Sequence, residues 1–393
     1  MIDISQAPSG KLKDLGKDRV PALVEIQVCF DYAGAPAASK LQCTTNKSKK
    51  PVQVTKLPHA FGDNYPTAEA GDGQVALTTG ELNLSDTDIE VDAGNTGLSI
   101  SRTYSSYSGI GANSRIFGSG WRANIDGPDE GLSELLVVES TGLDGTITFI
   151  DDDESAAVFR QAGNGRVAGK VGDYLAANDN AAGSGWKVKL EGKGTAARIT
   201  VIEDDGTRTT FKRGSNLESN TKIFEWVPES VSGPNVAGKS TFVTDAETGL
   251  ITKIISGTET SSPDCTAGLV KGCRALLLSY DQKTSKGDLA KGKVAKVVYT
   301  AWDADAGKMS TVPIAEYSYS GTSGDANLTS VKDSRTGDMT TYTYGADSAA
   351  GVPLVASVTE KASNGSLTGA PTYYNYGKAN GTAVSTGGCN TST

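Results

Sequence analysis

The chain of 393 residues carries 37 Lys and Arg against 46 Asp and Glu, a net charge of −9, with 47 glycines that imply many turns. Residues 1–60 hold nine basic against five acidic side chains and residues 61–160 four against eighteen. An acidic stretch of that kind repels phosphate backbones and no basic stripe with interleaved aromatics occurs elsewhere, so nucleic acid is not an expected partner.

Residues 1–75 are rich in Pro, Lys, Asn and Ala and read as an irregular leader or linker, with one strand expected from Ala22 to Asp31. No apolar signal core occupies the first twenty residues. The longest apolar runs, Leu135 to Val138 and Ala275 to Leu278, are too short to span a bilayer. Cys29 and Cys43 form one candidate disulfide pair and Cys389 is left odd.

Residues 76–260 read as a β-domain of strands and turns. Leu98, Ile100, Arg102 and Tyr104 alternate with Ser99, Ser101 and Thr103, the period of a strand with one packed face. An arginine on that face requires a carboxylate, carbonyl or aromatic partner, because an unpaired buried charge is costly. Trp121, reached through Phe117, Gly118 and Gly120, is a natural ring for it to stack on. This arginine is expected to lock a hairpin, not to hold a ligand. Two Asp-Gly turns, at Asp144-Gly145 and Asp205-Gly206, sit between β-rich runs and predict hairpins with type I′ turns.

Residues 261–393 have a second texture. Cys265 and Cys273 bracket a short loop, and a bridge there would constrain the unfolded chain by about 2–3 kcal/mol. Tyr-x-Tyr pairs then recur, at Tyr317 and Tyr319, at Tyr342 and Tyr344, and at Tyr374 and Tyr376, with Leu328 to Asp333 between the first two. Each unit predicts a hairpin whose tyrosines share a face and stack on the next unit. The fold class expected is all-β, with antiparallel hairpins forming a curved, spiralling sheet and no long helix.

These two textures together resemble the Rhs/YD-repeat proteins, a family of bacterial polymorphic toxins, toxin-complex components and extracellular teneurins. The first part matches through Thr79–Leu82, Asp88–Val91, Leu98–Ser106 and Phe117–Trp121, so Arg102, Tyr104, Phe117, Gly118, Gly120 and Trp121 are its structural motif residues. The second resembles YD repeats through Tyr317, Tyr319, Leu328, Asp333, Tyr342 and Tyr344. The aspartate that usually follows the second tyrosine is replaced by Ser320 and Gly345. No core-associated motif, self-cleavage site or toxin domain of the family occurs in the chain. The resemblance implies a secreted or surface-displayed, non-catalytic wall of a hollow β-shell, whose partner is a C-terminal effector or toxin domain.

Chemistry offers few rivals. The single histidine, His59, lacks grouped ligands for zinc and a Gly-x-Ser-x-Gly elbow for a serine triad. No catalytic residue and no cofactor are expected. Paired carboxylates among Glu81, Asp88, Glu90 and Asp126 leave a carbohydrate-active enzyme as a remote alternative. Structural calcium is a further option at Asp86, Asp88, Glu90 and Asp92 or at Asp151 to Glu154, weighed against a protected sheet edge. The alternative function is an adhesion or glycan-binding module, with a cell-surface glycan or protein as partner.

Overall fold

The computed structural model describes residues 19–22, 25–31, 41–47, 52–55 and the stretch 66–376 apart from 78–79, 92–97, 107–113, 127–134, 141–144, 151–155, 163–170, 219–222, 234–238, 246–248, 257–262, 282–291, 321–325 and 348–352. The architecture is all-β with antiparallel pairing throughout. Among the described residues the one α-helix, α1, is the five-residue Asp179–Gly183.

Two strand pairs precede residue 60. β1 (Arg19–Ala22) pairs with β4 (Val52–Thr55), and β2 (Glu25–Asp31) with β3 (Leu41–Lys47). The first 60 residues thus hold four strands where the sequence led us to expect one in the whole of 1–75. The register sets Cys29 opposite Cys43. Their sulfur atoms lie outside the described part of the structure, as do His59, Asp92, Asp151 to Glu154 and Cys389.

A five-stranded sheet follows in chain order: β5 (Thr67–Ala70), β6 (Gly73–Ala76), β7 (Leu82–Val91), β8 (Leu98–Ser105) and β9 (Trp121–Asp126). Alternation along β8 buries Leu98, Ile100, Arg102 and Tyr104 on one face. In β7 a register shift between Thr87 and Ile89 leaves Asp88 as an extra residue. This bulge changes the phase of the alternation, so that Leu82, Leu84, Asp88 and Ile89 are all buried on the side facing Arg102.

Eight further strands form a closed barrel: β10 (Leu136–Ser140), β11 (Thr146–Ile150), β12 (Ala156–Gln161), β13 (Gly172–Ala176), β14 (Lys187–Glu191), β15 (Arg198–Ile202), β16 (Arg208–Glu218) and β17 (Ile223–Ser232). Each pairs with the next, and β10 also pairs with β17, with Val137 opposite Trp226 and Glu139 opposite Phe224. The interior is filled by Phe149, Phe159, Phe211, Trp226 and aliphatic neighbours. The turn between β15 and β16 is not the two-residue type I′ form expected. Gly206 N–H donates to the Glu203 carbonyl and Glu203 N–H to the Thr207 carbonyl, which encloses Asp204, Asp205 and Gly206 in a three-residue loop. Gly206 takes the left-handed conformation at φ 94°, the last place of such a loop.

From β17 the same sheet runs on through β18 (Ser240–Thr244), β19 (Ile251–Ile255), β20 (Arg274–Tyr280), β21 (Val294–Asp303), β22 (Lys308–Ser320), β23 (Asn327–Asp333), β24 (Met339–Asp347), β25 (Pro353–Lys361) and β26 (Thr372–Tyr373). Strands on both sides of residue 260 therefore belong to one 17-stranded sheet. Its open part packs on the five-stranded sheet, and Leu82, Ile100, Trp121, Ile254, Leu276 and Val355 share a core between the layers. That interlayer space is where Arg102 sits.

Candidate functional site

Arg102 is 1% exposed and every side of its guanidinium is occupied. Its Nε donates to both Asp88 oxygens, at 3.1 and 3.2 Å, and its Nη2 bonds Asp86. Its Nη1 donates to the Tyr342 hydroxyl at 2.7 Å, across to the other sheet. The guanidinium carbon lies 5.3 Å from the Trp121 ring centre and 5.8 Å from that of Tyr342. Asp88 accepts a second cross-sheet bond, from the Tyr317 hydroxyl at 2.6 Å.

Burial penalises the Arg102 charge, yet the Asp88 carboxylate, followed by Tyr342 and Asp86, outweighs that and holds it protonated well above its ordinary range. Burial pushes the Asp88 carboxyl up, against the pull of Arg102 and the Tyr317 hydrogen bond. The phenols of Tyr104, Tyr317 and Tyr319 are pushed well up, first by burial. The acidic run read from sequence as one alternating edge is split by the bulge in β7. Asp86 and Asp88 serve Arg102, while Glu90 is exposed on the other side. Among the described residues no group of three or more His, Cys, Asp or Glu side chains is arranged to hold a metal ion.

The remaining motif residues surround this hub. Tyr104 packs against Trp121 with ring centres 5.4 Å apart, and its hydroxyl donates to the Pro353 carbonyl at 2.7 Å while accepting from Val355 N–H at 3.1 Å. Phe117 meets Tyr317 at 5.0 Å. Gly118, at φ 99°, lets the backbone pass against β23, where Ser119 N–H donates to Ala326 O at 2.8 Å. A Cβ at Gly118 would lie 2.5 Å from that oxygen, so an alanine there would clash. Gly120, at φ 78°, turns the chain into β9, and its carbonyl accepts from Ser105 N–H at 3.0 Å. Asp333 caps a turn by accepting from Arg335 N–H at 2.7 Å, and the Arg335 guanidinium reaches the Asp88 carbonyl at 3.3 Å. Cys265 and Cys273 are bridged, with Cα atoms 5.6 Å apart, in a separate cluster beside Ile255 and Ala275.

The second tyrosines share one role with Tyr280 of β20. The Tyr280, Tyr319, Tyr344 and Tyr376 hydroxyls donate to the carbonyls of Ile251, Val294, Leu328 and Val355, at 2.5, 2.7, 2.8 and 3.0 Å. Each clasps the early part of the strand before it. Tyr344 also accepts from Trp121 Nε1 at 2.9 Å, joining this series to the hub. The Tyr-x-Tyr spacing reveals Tyr319, Tyr344 and Tyr376 in the sequence, whereas nothing local marks Tyr280, which has Leu278 two residues before it, or Arg335 or the carbonyls that accept.

A cavity of about 310 Å³ opens beside the hub, lined among others by Asp86, Asp88, Asp333, Arg335, Asp338 and Glu360. Most of these carboxylates have partners in the fold: Asp86 and Asp88 hold Arg102, Asp333 holds Arg335 and Asp338 accepts from Ser363 N–H at 3.1 Å. The arrangement fixes two sheets against each other.

Residues 72–159 match a family model described as "Domain of unknown function (DUF6531)". That stretch contains the Arg102 hairpin, Trp121 and the first strands of the barrel. No curated protein matches the sequence. Among solved structures, a chain in the "Crystal Structure of TcdB2-TccC3-Cdc42" is similar over 78% of this chain at 13% identity, with a TM-score of 0.37. This chain covers 15% of that chain's length.

Proposed function

We propose that the chain is a non-catalytic wall segment of a secreted Rhs/YD-type protein, whose β-shell encloses or delivers a C-terminal effector. The observation that carries this reading is the clasped series: tyrosine-bearing strands alternate with the strands whose carbonyls they bond, and Arg102 fastens them to the sheet before them. Such a unit repeats sideways without needing a new core, as in other stacked-repeat architectures. Charged groups at its centre are spent on one another, which suits a part that acts by shape. An adhesion or glycan-binding surface would require outward aromatic platforms. Trp121, Trp226, Tyr317 and Tyr342 are buried, and Tyr373 is the exposed aromatic among the described residues.

The test is the intact gene product taken from its native location. A product much longer than 393 residues, whose terminal domain resists protease until the wall is opened, supports the reading. A product that ends near Thr393 and binds a cell surface overturns it. So does hydrolysis of a polysaccharide panel that disappears when one carboxylate is replaced.

A further inference from the structure

The connection from β25 to β26 contains Asn364 followed by Gly365, the one asparagine that precedes a glycine among the described residues. Residues 363–370 are exposed. Gly365 stands at φ 81°, and a Cβ added to it would meet nothing within 4 Å. Glycine brings no side chain to stand between its backbone nitrogen and the Asn364 carboxamide. That carboxamide is polarised: its Oδ1 accepts from Ser366 N–H at 2.9 Å and from the Ser366 hydroxyl at 2.5 Å. Asn178 provides a contrast within the same chain. Its Oδ1 also accepts from two N–H groups, those of Val158 at 2.9 Å and Ala181 at 3.1 Å. Its Nδ2, however, donates to the Ala156 carbonyl at 2.6 Å, and the residue after it is Asp179, whose side chain crowds the approach.

We propose that Asn364 is a site of self-modification, losing its side-chain amide through attack by its own backbone. Hydroxide removes the Gly365 amide proton, and the nitrogen adds to Asn364 Cγ. The negative charge that develops on Oδ1 falls where the two Ser366 donors already point, as in an oxyanion hole. The Cγ–Nδ2 bond then breaks, Nδ2 takes a proton from water, and ammonia departs to leave a five-membered imide. Water opens that ring at either carbonyl and gives an aspartyl or an isoaspartyl residue at 364. Nothing is oxidised or reduced, and hydroxide and water are the co-reactants. Gly365 N–H donates to the Ala362 carbonyl at 2.8 Å, so that bond must open first. The bonds to Oδ1 lie within residues 364–366 and outlast the opening of this exposed loop. An isoaspartyl residue lengthens the backbone of a loop closed by Ala362 N–H on the Ser366 carbonyl at 2.8 Å and by the Lys361–Leu367 bridge, beside the last strand of the sheet.

The test is incubation of the full, folded chain in mildly alkaline buffer, followed over time by peptide mapping and mass spectrometry. Conversion of Asn364 to a mixture of aspartyl and isoaspartyl forms is expected, with the second form labelled by a protein-isoaspartate methyltransferase and Asn178 left intact. The Ser366 side chain is exposed, so Ser366→Ala leaves the fold in place and removes one of the two donors. That change is expected to slow the conversion about threefold to tenfold, the worth of one hydrogen bond open to water. Ser366→Thr keeps the hydroxyl and is expected to restore the rate. An Asn364 that stays unmodified while the same residue converts in the urea-unfolded chain overturns the proposal. Conversion in Ser366→Ala that is as fast as in the unaltered chain also overturns it, because Oδ1 would then gain nothing from its donors. A product that is aspartyl alone overturns it too, since direct hydrolysis, and not the imide, would be its source.

Discussion

At the scale of single residues, Arg102 decides the interlayer packing through charge. Its removal leaves Asp88 buried without a counter-charge, and breaking a buried pair from one side costs about 3–5 kcal/mol. Arg102→Met is therefore expected to lose stability on that scale in urea unfolding. Asp88→Asn combined with Arg102→Met is expected to lose less than the sum of the two single changes. Additive losses would mean that the two side chains do not act as a pair. The tyrosines give a second prediction, this time in pH. Burial pushes the Tyr342 and Tyr374 phenols up to about 12, against the pull of Arg102 at Tyr342 and aided by the Asp72 charge at Tyr374, compared with about 10 in an unfolded chain. The folded state thus keeps protons that the unfolded state releases. Their contribution to stability is complete below pH about 10 and is lost as pH rises from there towards about 12. Spectrophotometric titration should show these phenols ionising together with unfolding; ionisation of all tyrosines near 10 with the fold intact would contradict it.

At the scale of elements, the strands and the Tyr-x-Tyr series were legible because their signals are local. The alternation of β8 and the placement of Trp121 after two glycines identified the arginine and its ring partner, and the tyrosine spacing marked the clasping strands. What was not legible depends on pairing between distant residues. The bulge at Asp88 is visible only in its register with β8, so four alternating acids looked like one edge when two of them face inward. The Gly206 turn was misassigned because Asp-Gly serves both loop lengths, and the hydrogen bond from Gly206 to Glu203 decides between them. The Cys265–Cys273 bridge stands apart from the hub, at the entry to β20. Closing so short a loop restricts the unfolded chain, so Cys265→Ala with Cys273→Ala is expected to cost about 2–3 kcal/mol. Alkylation and mass measurement before and after reductant checks the bond itself. Two free thiols in protein from its native location would argue against an oxidising compartment.

For the whole molecule, the consequential feature is that two hydrophobic cores share one sheet. Phe149, Phe159 and Phe211 fill the barrel, while Ile100, Trp121, Leu276 and Val355 fill the space between the layers. Barrel closure had no sequence signature, since it joins Val137 to Trp226 across the length of the domain and neither strand differs from its neighbours. The link between the cores is narrow. β17 meets β18 over two register pairs, Ser230 with Thr241 and Val231 with Ser240, and Arg122 adds one bond of 3.4 Å to the Ile150 carbonyl. Among the described residues the two clusters have no member in common, although β17 gives Trp226 to one and Val231 to the other, so weak cooperativity between them is expected. Calorimetry is expected to resolve two transitions. Phe149→Ala, which removes about 3–5 kcal/mol of barrel packing, should lower one of them by several degrees. Arg102→Met should lower the other and leave the first in place. A single transition displaced by both substitutions would show that the joint at β17 transmits stability after all, and that the barrel and the clasped strands fold as one unit.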